Sequence, residues 1–157
     1  MNFIFKRKNI YLLILIYSII VILSAIYIEK VLGYLPCKLC IYQRFPFLVA
    51  IFICFLGYNY VKSDRILIAL IITFTLSTAL AGYHFGIENG IFDEYAGCTN
   101  TYIDITNKEK IIDRLGMVKN CKDVDFTILG ISLSGLNFLI SLLIVLFSLR
   151  ALVYEKN

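Results

Sequence analysis

Four long apolar runs decide what this chain can fold into. They extend from Ile10 to Ile28, from Ile41 to Tyr58, from Ile66 to Phe85 and from Ile128 to Leu149. About 20 apolar residues in a helix suffice to cross the hydrocarbon core of a bilayer, and a helix bonds all its backbone polar groups internally, as that core requires. The expected fold class is an all-α membrane protein, an antiparallel four-transmembrane-helix bundle in which short connections set consecutive spans side by side. A chain of 157 residues with 60% hydrophobic and 17% charged side chains has too little polar surface for a soluble domain. One integral membrane domain over residues 1–157 is expected, with outer loops at 29–40 and 86–127.

The charge distribution sets the orientation. The two ends of the chain and the 59–65 turn hold seven basic residues in 24 positions: Lys6, Arg7, Lys8, Lys62, Arg65, Arg150 and Lys156. The segments 29–44 and 86–127 hold eight in 58, together with nine of the eleven acidic residues. Basic residues collect on the cytoplasmic side, so both termini of this multi-pass membrane protein are expected there. The net charge of +4 does not point to nucleic acid, because no basic cluster interleaves with aromatics on a polar surface. The first run, 19 uninterrupted residues without a clear small-x-small cleavage site, reads as a retained helix rather than a signal peptide.

The long outer loop carries one further element. Thr106-Asn107-Lys108-Glu109 has the form of a capping box, Ile111, Ile112 and Leu115 follow, and Gly116 is placed to end the helix. A short amphipathic helix is expected, lying on the membrane surface or folded over the mouth of the bundle.

The topology sorts the five cysteines. Cys37, Cys40, Cys98 and Cys121 fall outside, whereas Cys54 falls in the second span. The outer face of a bacterial cytoplasmic membrane is oxidising, so cysteines there tend to pair; four allow three pairings, and spacing does not choose among them. Cys37-Lys38-Leu39-Cys40 closes a very small loop, an arrangement suited to a reducible disulfide. Pro36 precedes it and Ile41 opens an apolar span, which sets Cys40 at a helix start where free amides and the helix dipole favour a thiolate. A four-thiolate zinc site is disfavoured, since Cys98 and Cys121 lack the close spacing of a second knuckle; no metal is expected. Cys54, deep in hydrocarbon, should pack as a small apolar side chain.

Two further residues are candidates. Arg44 lies one helical turn beyond Cys40 on the same face, and a guanidinium inside the edge of a span is costly without a partner. The Cys40 sulfur is placed to be that partner, and a cation there lowers a thiol pKa. His84, the single histidine, ends the third span at the level where the second begins, and so is expected towards Arg44 and Cys40.

The string LPCKLCIYQR, followed by a long outer loop with two more cysteines, resembles the DsbB family of quinone-linked disulfide-generating enzymes. The resemblance spans most of the chain: four spans, both termini inside, C-x-x-C-x-x-x-R at the start of span two, and a second cysteine pair between spans three and four. Asp125-Phe126 and Leu129-Gly130, entering span four, resemble the family too. It implies an electron path from a soluble periplasmic thiol oxidoreductase similar to DsbA, through two cysteine pairs, to the membrane quinone pool (ubiquinone or menaquinone). By carry-over, Cys98 and Cys121 form the disulfide that meets the partner and Cys98 takes the mixed disulfide. Cys121 then exchanges with Cys37, and Cys40 passes electrons to the quinone, with Arg44 and His84 beside it. The family often has an acidic residue before the arginine; Gln43 stands here, and no charge-based role is assigned to it.

Two other classes compete with this reading. Membrane thiol reductases carry electrons outward but place reactive cysteines within the spans, where this chain has only Cys54. A non-enzymatic tetraspan with disulfide-stapled outer loops, serving as a binding or assembly module, has no need of a cation beside the C-x-x-C.

Overall fold

The computed structural model describes residues 7–34, 36–61, 63–93, 121–122, 124, 127–128 and 130–154. Among these the protein is mostly helical. Helix α1 runs Arg7–Lys30, α2 Lys38–Asn59, α3 Asp64–Glu88 and α4 Leu133–Tyr154, each with a stretch long and apolar enough to cross a membrane. The expected loop helix with its capping box, together with Cys98, lies outside the described residues.

Consecutive helices pack against one another, α1 on α2, α2 on α3 and most extensively α3 on α4, while α1 and α4 touch only slightly. Ion pairs mark both ends of this up-down arrangement. At one end Arg7 Nη1 reaches Asp64 Oδ1 at 2.6 Å, joining the starts of α1 and α3; Asp64 also lies in the first turn of α3, where the helix dipole favours a carboxylate. At the other end Arg44 on α2 meets Glu29 on α1.

The packed core fills the end nearer Arg7. Ile10, Tyr11 and Ile14 of α1, Phe47, Ala50 and Cys54 of α2, and Leu67, Leu70 and Phe74 of α3 form one buried cluster. The Phe47 ring meets Tyr17 and Phe74 edge-on at centroid separations of 6.0 and 5.9 Å, an arrangement aromatic quadrupoles favour. Tyr11 can lie against α2 because position 57 is glycine: a Cβ there would stand 2.6 Å from its ring.

Span four begins later than hydropathy suggests. Instead of a helix from Ile128, the strands Thr127–Ile128 and Ile131–Ser132 form a short antiparallel hairpin pairing Thr127 with Ser132 and Ile128 with Ile131, and α4 starts at Leu133. Gly130 turns the chain at φ +82°, a conformation glycine adopts freely. An apolar count cannot distinguish such a hairpin from the first turn of a span. The hairpin delivers Ser132 and Ser134, both buried, to the end of the bundle where the cysteines gather. Gly90, at φ +71°, closes α3 near the same end, with the Ile91 amide returning to the Gly86 carbonyl at 2.8 Å.

Candidate functional site

The C-x-x-C is built into a helix cap. Cys37 is the N-cap of α2, in extended conformation, and its sulfur accepts the Cys40 amide at 3.2 Å. The sulfur that satisfies a free amide at the helix start is thus that of Cys37, while Cys40 occupies the third helical position. Cys37 donates to the Cys40 sulfur at 2.9 Å. That hydrogen bond, reinforced by burial, pushes the Cys37 thiol up to about 12, against an opposing hydrogen bond with His84. In the dithiol Cys37 therefore keeps its proton and turns it towards Cys40.

Cys121 comes to the same place from a distant part of the chain. The ligand atoms of Cys37, His84 and Cys121, all buried, lie within 4.8 Å of one another, and His84 Nε2 is 3.6 Å from the Cys37 sulfur. Two sulfurs this close can exchange disulfides. The same trio is a donor set that a soft cation such as zinc accepts, and only Cys37 of its sulfurs belongs to the C-x-x-C. Leu39 and Ile87 close the cluster from the apolar side, with Leu80 and Tyr83 packed against them.

Polar side chains from every helix surround it. Arg44 Nη1 donates to Glu29 Oε2 at 2.6 Å, a partner that reading the sequence around Cys40 did not suggest. The imidazole of His84 meets Gln43 Nε2 through Nδ1 at 2.9 Å and Glu88 Oε1 through Nε2 at 3.5 Å. The Ser134 hydroxyl donates to the Glu88 carboxylate, and Asn137 donates to Gln43 Oε1 at 3.0 Å.

A cavity of about 350 Å³ opens beside these groups, with walls from all four helices; Cys40, Arg44 and His84 line it together with apolar residues such as Ile20, Phe47 and Leu136. The volume is in the range of small-molecule sites, which pair an apolar lining with a few placed polar groups. Its wall is mostly apolar, with Arg44 and His84 among the few polar side chains that face it.

Of the expected site residues, Cys37, Cys40, Cys121, Arg44 and His84 thus gather at one end of the bundle. Glu29, Gln43, Glu88, Ser134 and Asn137 are the polar members that sequence reasoning left out. Signals for three of them were present: Glu29 and Glu88 are acids at span ends, Glu88 one turn after His84, and Asn137 is an amide inside an apolar run, where polar residues are costly and tend to be functional.

A membrane-embedded four-helix protein with a C-x-x-C helix cap and a third thiol in contact range belongs to the thiol-handling class. The family model for "Disulfide bond formation protein DsbB" matches residues 7–151, nearly the whole chain. An uncharacterized protein of Rickettsia prowazekii (strain Madrid E) is 33% identical over 164 residues, covering 99% of this chain and 95% of that protein. The chain belongs to the DsbB family, whose members are disulfide-forming membrane oxidoreductases.

Proposed function

We propose that this protein reoxidises a soluble, periplasmic DsbA-like thiol oxidoreductase and passes the electrons to a membrane quinone. The observation that carries the reading is the convergence of Cys37, Cys121 and His84 within 4.8 Å, on the wall of a cavity that Cys40 and Arg44 also line.

The resting enzyme holds Cys98–Cys121 and Cys37–Cys40 as disulfides. A partner thiolate attacks Cys98, forming a mixed disulfide and releasing the Cys121 thiolate. Cys121 attacks Cys37, so that a Cys37–Cys121 bond forms as the Cys37–Cys40 bond breaks and Cys40 leaves as thiolate. The partner's second thiolate then resolves the mixed disulfide and frees Cys98, which attacks Cys121 and releases Cys37. The partner leaves oxidised and the electron pair rests on Cys37 and Cys40. The bound quinone supplies the two-electron, two-proton acceptor that restores the Cys37–Cys40 disulfide. Arg44 holds charge beside Cys40 and on a quinone oxygen; its pairing with Glu29 fixes the guanidinium at the cavity wall. Cys54 takes no part, and no metal is needed.

The orientation follows the charge bias, with Lys38 open to impermeant reagents from outside and Lys8 protected. The experiment that tests the function mixes purified protein, a reduced DsbA-like protein and ubiquinone or menaquinone. Quinone reduction that depends on all three is expected. Partner oxidation that proceeds equally without quinone would refute the reading, and disulfides that never turn over would favour a stapled, non-enzymatic tetraspan.

A further inference from the structure

We infer that Asn137 and Gln43 are positioning residues that set the tautomer of His84, keeping Nδ1 an acceptor and placing the ring proton on Nε2, where it faces Cys37 and Glu88.

A chain of hydrogen bonds runs from the interior to the imidazole. Ser77 on α3 and Ser141 on α4 lie 3.2 Å apart through their hydroxyls; Ser141 donates to Asn137 Oδ1 at 3.0 Å. Asn137 Nδ2 donates to Gln43 Oε1 at 3.0 Å, and Gln43 Nε2 faces His84 Nδ1 at 2.9 Å. Ser77, Ser141, Gln43 and His84 are buried, so few other partners compete for these groups.

Each primary amide offers oxygen on one side and NH₂ on the other, so orienting one orients the next. With its oxygen taken by Ser141, Asn137 presents NH₂ to Gln43; Gln43 answers with its oxygen and turns its own NH₂ to the ring. A ring nitrogen opposite an NH₂ group must offer a lone pair, and a neutral imidazole then carries its one proton on Nε2. The other side of the ring asks for the same arrangement. Glu88 Oε1 at 3.5 Å and the Cys37 sulfur at 3.6 Å face Nε2. Glu88 is itself committed as an acceptor, since Ser134 donates to it. Turning a single amide would set two donors or two acceptors face to face. The opposite tautomer requires both amides to turn together and directs the ring proton away from Cys37.

The consequence for chemistry rests on the proposed relay: an Nε2–H aimed at Cys37 stabilises that sulfur when it leaves as a thiolate. The tautomer itself does not rest on it. A glutamine, rather than a carboxylate, at position 43 is what the arrangement needs, since a carboxylate would accept from both neighbours and draw the ring proton to Nδ1.

Because the chain has one histidine, ¹⁵N-histidine labelling of the detergent-solubilised full chain gives a single pair of ring signals. At pH 8, above the ordinary histidine pKa of about 6.5, Nδ1 should show the shift of a bare nitrogen and Nε2 that of a protonated one. Gln43→Glu should exchange the two assignments. Asn137→Asp should do the same from one residue further away, by turning the Gln43 amide, and Gln43→Glu carries the test if Asn137→Asp fails to fold. A wild-type ring protonated at Nδ1, or an unmoved proton in a folded variant, would overturn the inference. An Nε2–H ring in a protein that reduces no quinone would leave the inference standing and remove the relay.

Discussion

Cys54 and Cys37 are both buried cysteines, on or beside the same helix, and their surroundings could hardly differ more. Cys54 sits with Phe47, Ala50, Leu67 and Phe74 in an apolar cluster, and among the described residues no hydrogen bond reaches its sulfur. Cys37 caps α2, donates to Cys40, and has His84 and Cys121 within 4.8 Å. The comparison teaches that burial alone does not make a thiol inert. Position in a hydrogen-bonded cluster, next to a second sulfur and a cavity, separates a reactive cysteine from a packing one, and the two halves of this bundle divide along that line.

Substitution of the thiols should break the molecule along the same line, with the largest effects of all. Cys37→Ala and Cys121→Ala should abolish turnover of reduced partner, whereas Cys54→Ala should keep near wild-type rates. The two outer-loop cysteines should part in a gel assay for the partner adduct. Cys98→Ala forms no mixed disulfide, while Cys121→Ala, its Cys98 thiolate left unpaired with Cys121, forms one by attacking the disulfide of oxidised partner and releasing a partner thiolate. Equal adduct in both would contradict the assigned order.

Arg44→Met should come next, raising the apparent quinone KM about tenfold or more. Loss of a hydrogen bond to a charged group costs roughly 1.5–3 kcal/mol. Arg44→Lys should fall between, since a point charge replaces a planar fork. Wild-type KM in Arg44→Met would leave the arginine as no more than the partner of Glu29.

The packed half should respond to volume instead. Gly57→Val would drive a side chain into the Tyr11 ring, since even a Cβ there stands 2.6 Å away; it should lower stability by roughly 1–3 kcal/mol, the usual cost of overpacking. Thermal denaturation in detergent measures this, and intact thiol turnover below the shifted transition is expected. A stability unchanged from wild type would show that α1 and α2 separate easily.

The smallest effect concerns protonation. In the reduced protein, alkylation of Cys37 should be slow at pH 8 and climb as pH approaches about 12, where its thiol ionises. Cys40→Ala removes the largest cause of that elevation, so the climb should move to lower pH, with burial still holding it above an ordinary thiol. Peptide-resolved mass spectrometry reads both rates, and an unmoved profile would deny the sulfur–sulfur hydrogen bond its role.

The difference between the halves also explains what the sequence revealed. Hydropathy locates spans because lipid demands apolar length, and the four helices were legible for that reason. The start of α4 was not, because Ile128 and Ile131 pair across a hairpin that turns at Gly130 and is as apolar as the helix after it. Cys37, Cys40 and Arg44 stood out by local spacing. Glu29 opposite Arg44, and Asn137 bridging to Gln43, are 15 and 94 residues from their partners; no local pattern encodes such pairings. Gln43 was set aside for lacking a charge, whereas its two-sided amide is the property that joins α4 to His84.

In the proposed relay Cys37 and Cys121 exchange electrons directly, and disulfide mapping tests this most plainly. In Cys40→Ala protein isolated under oxidising conditions, Cys37 has lost its neighbour and can attack the Cys98–Cys121 bond. Mass spectrometry should find Cys37 joined to Cys121, with Cys98 released as a free thiol. A Cys98–Cys121 disulfide left intact beside a free Cys37 would contradict the relay.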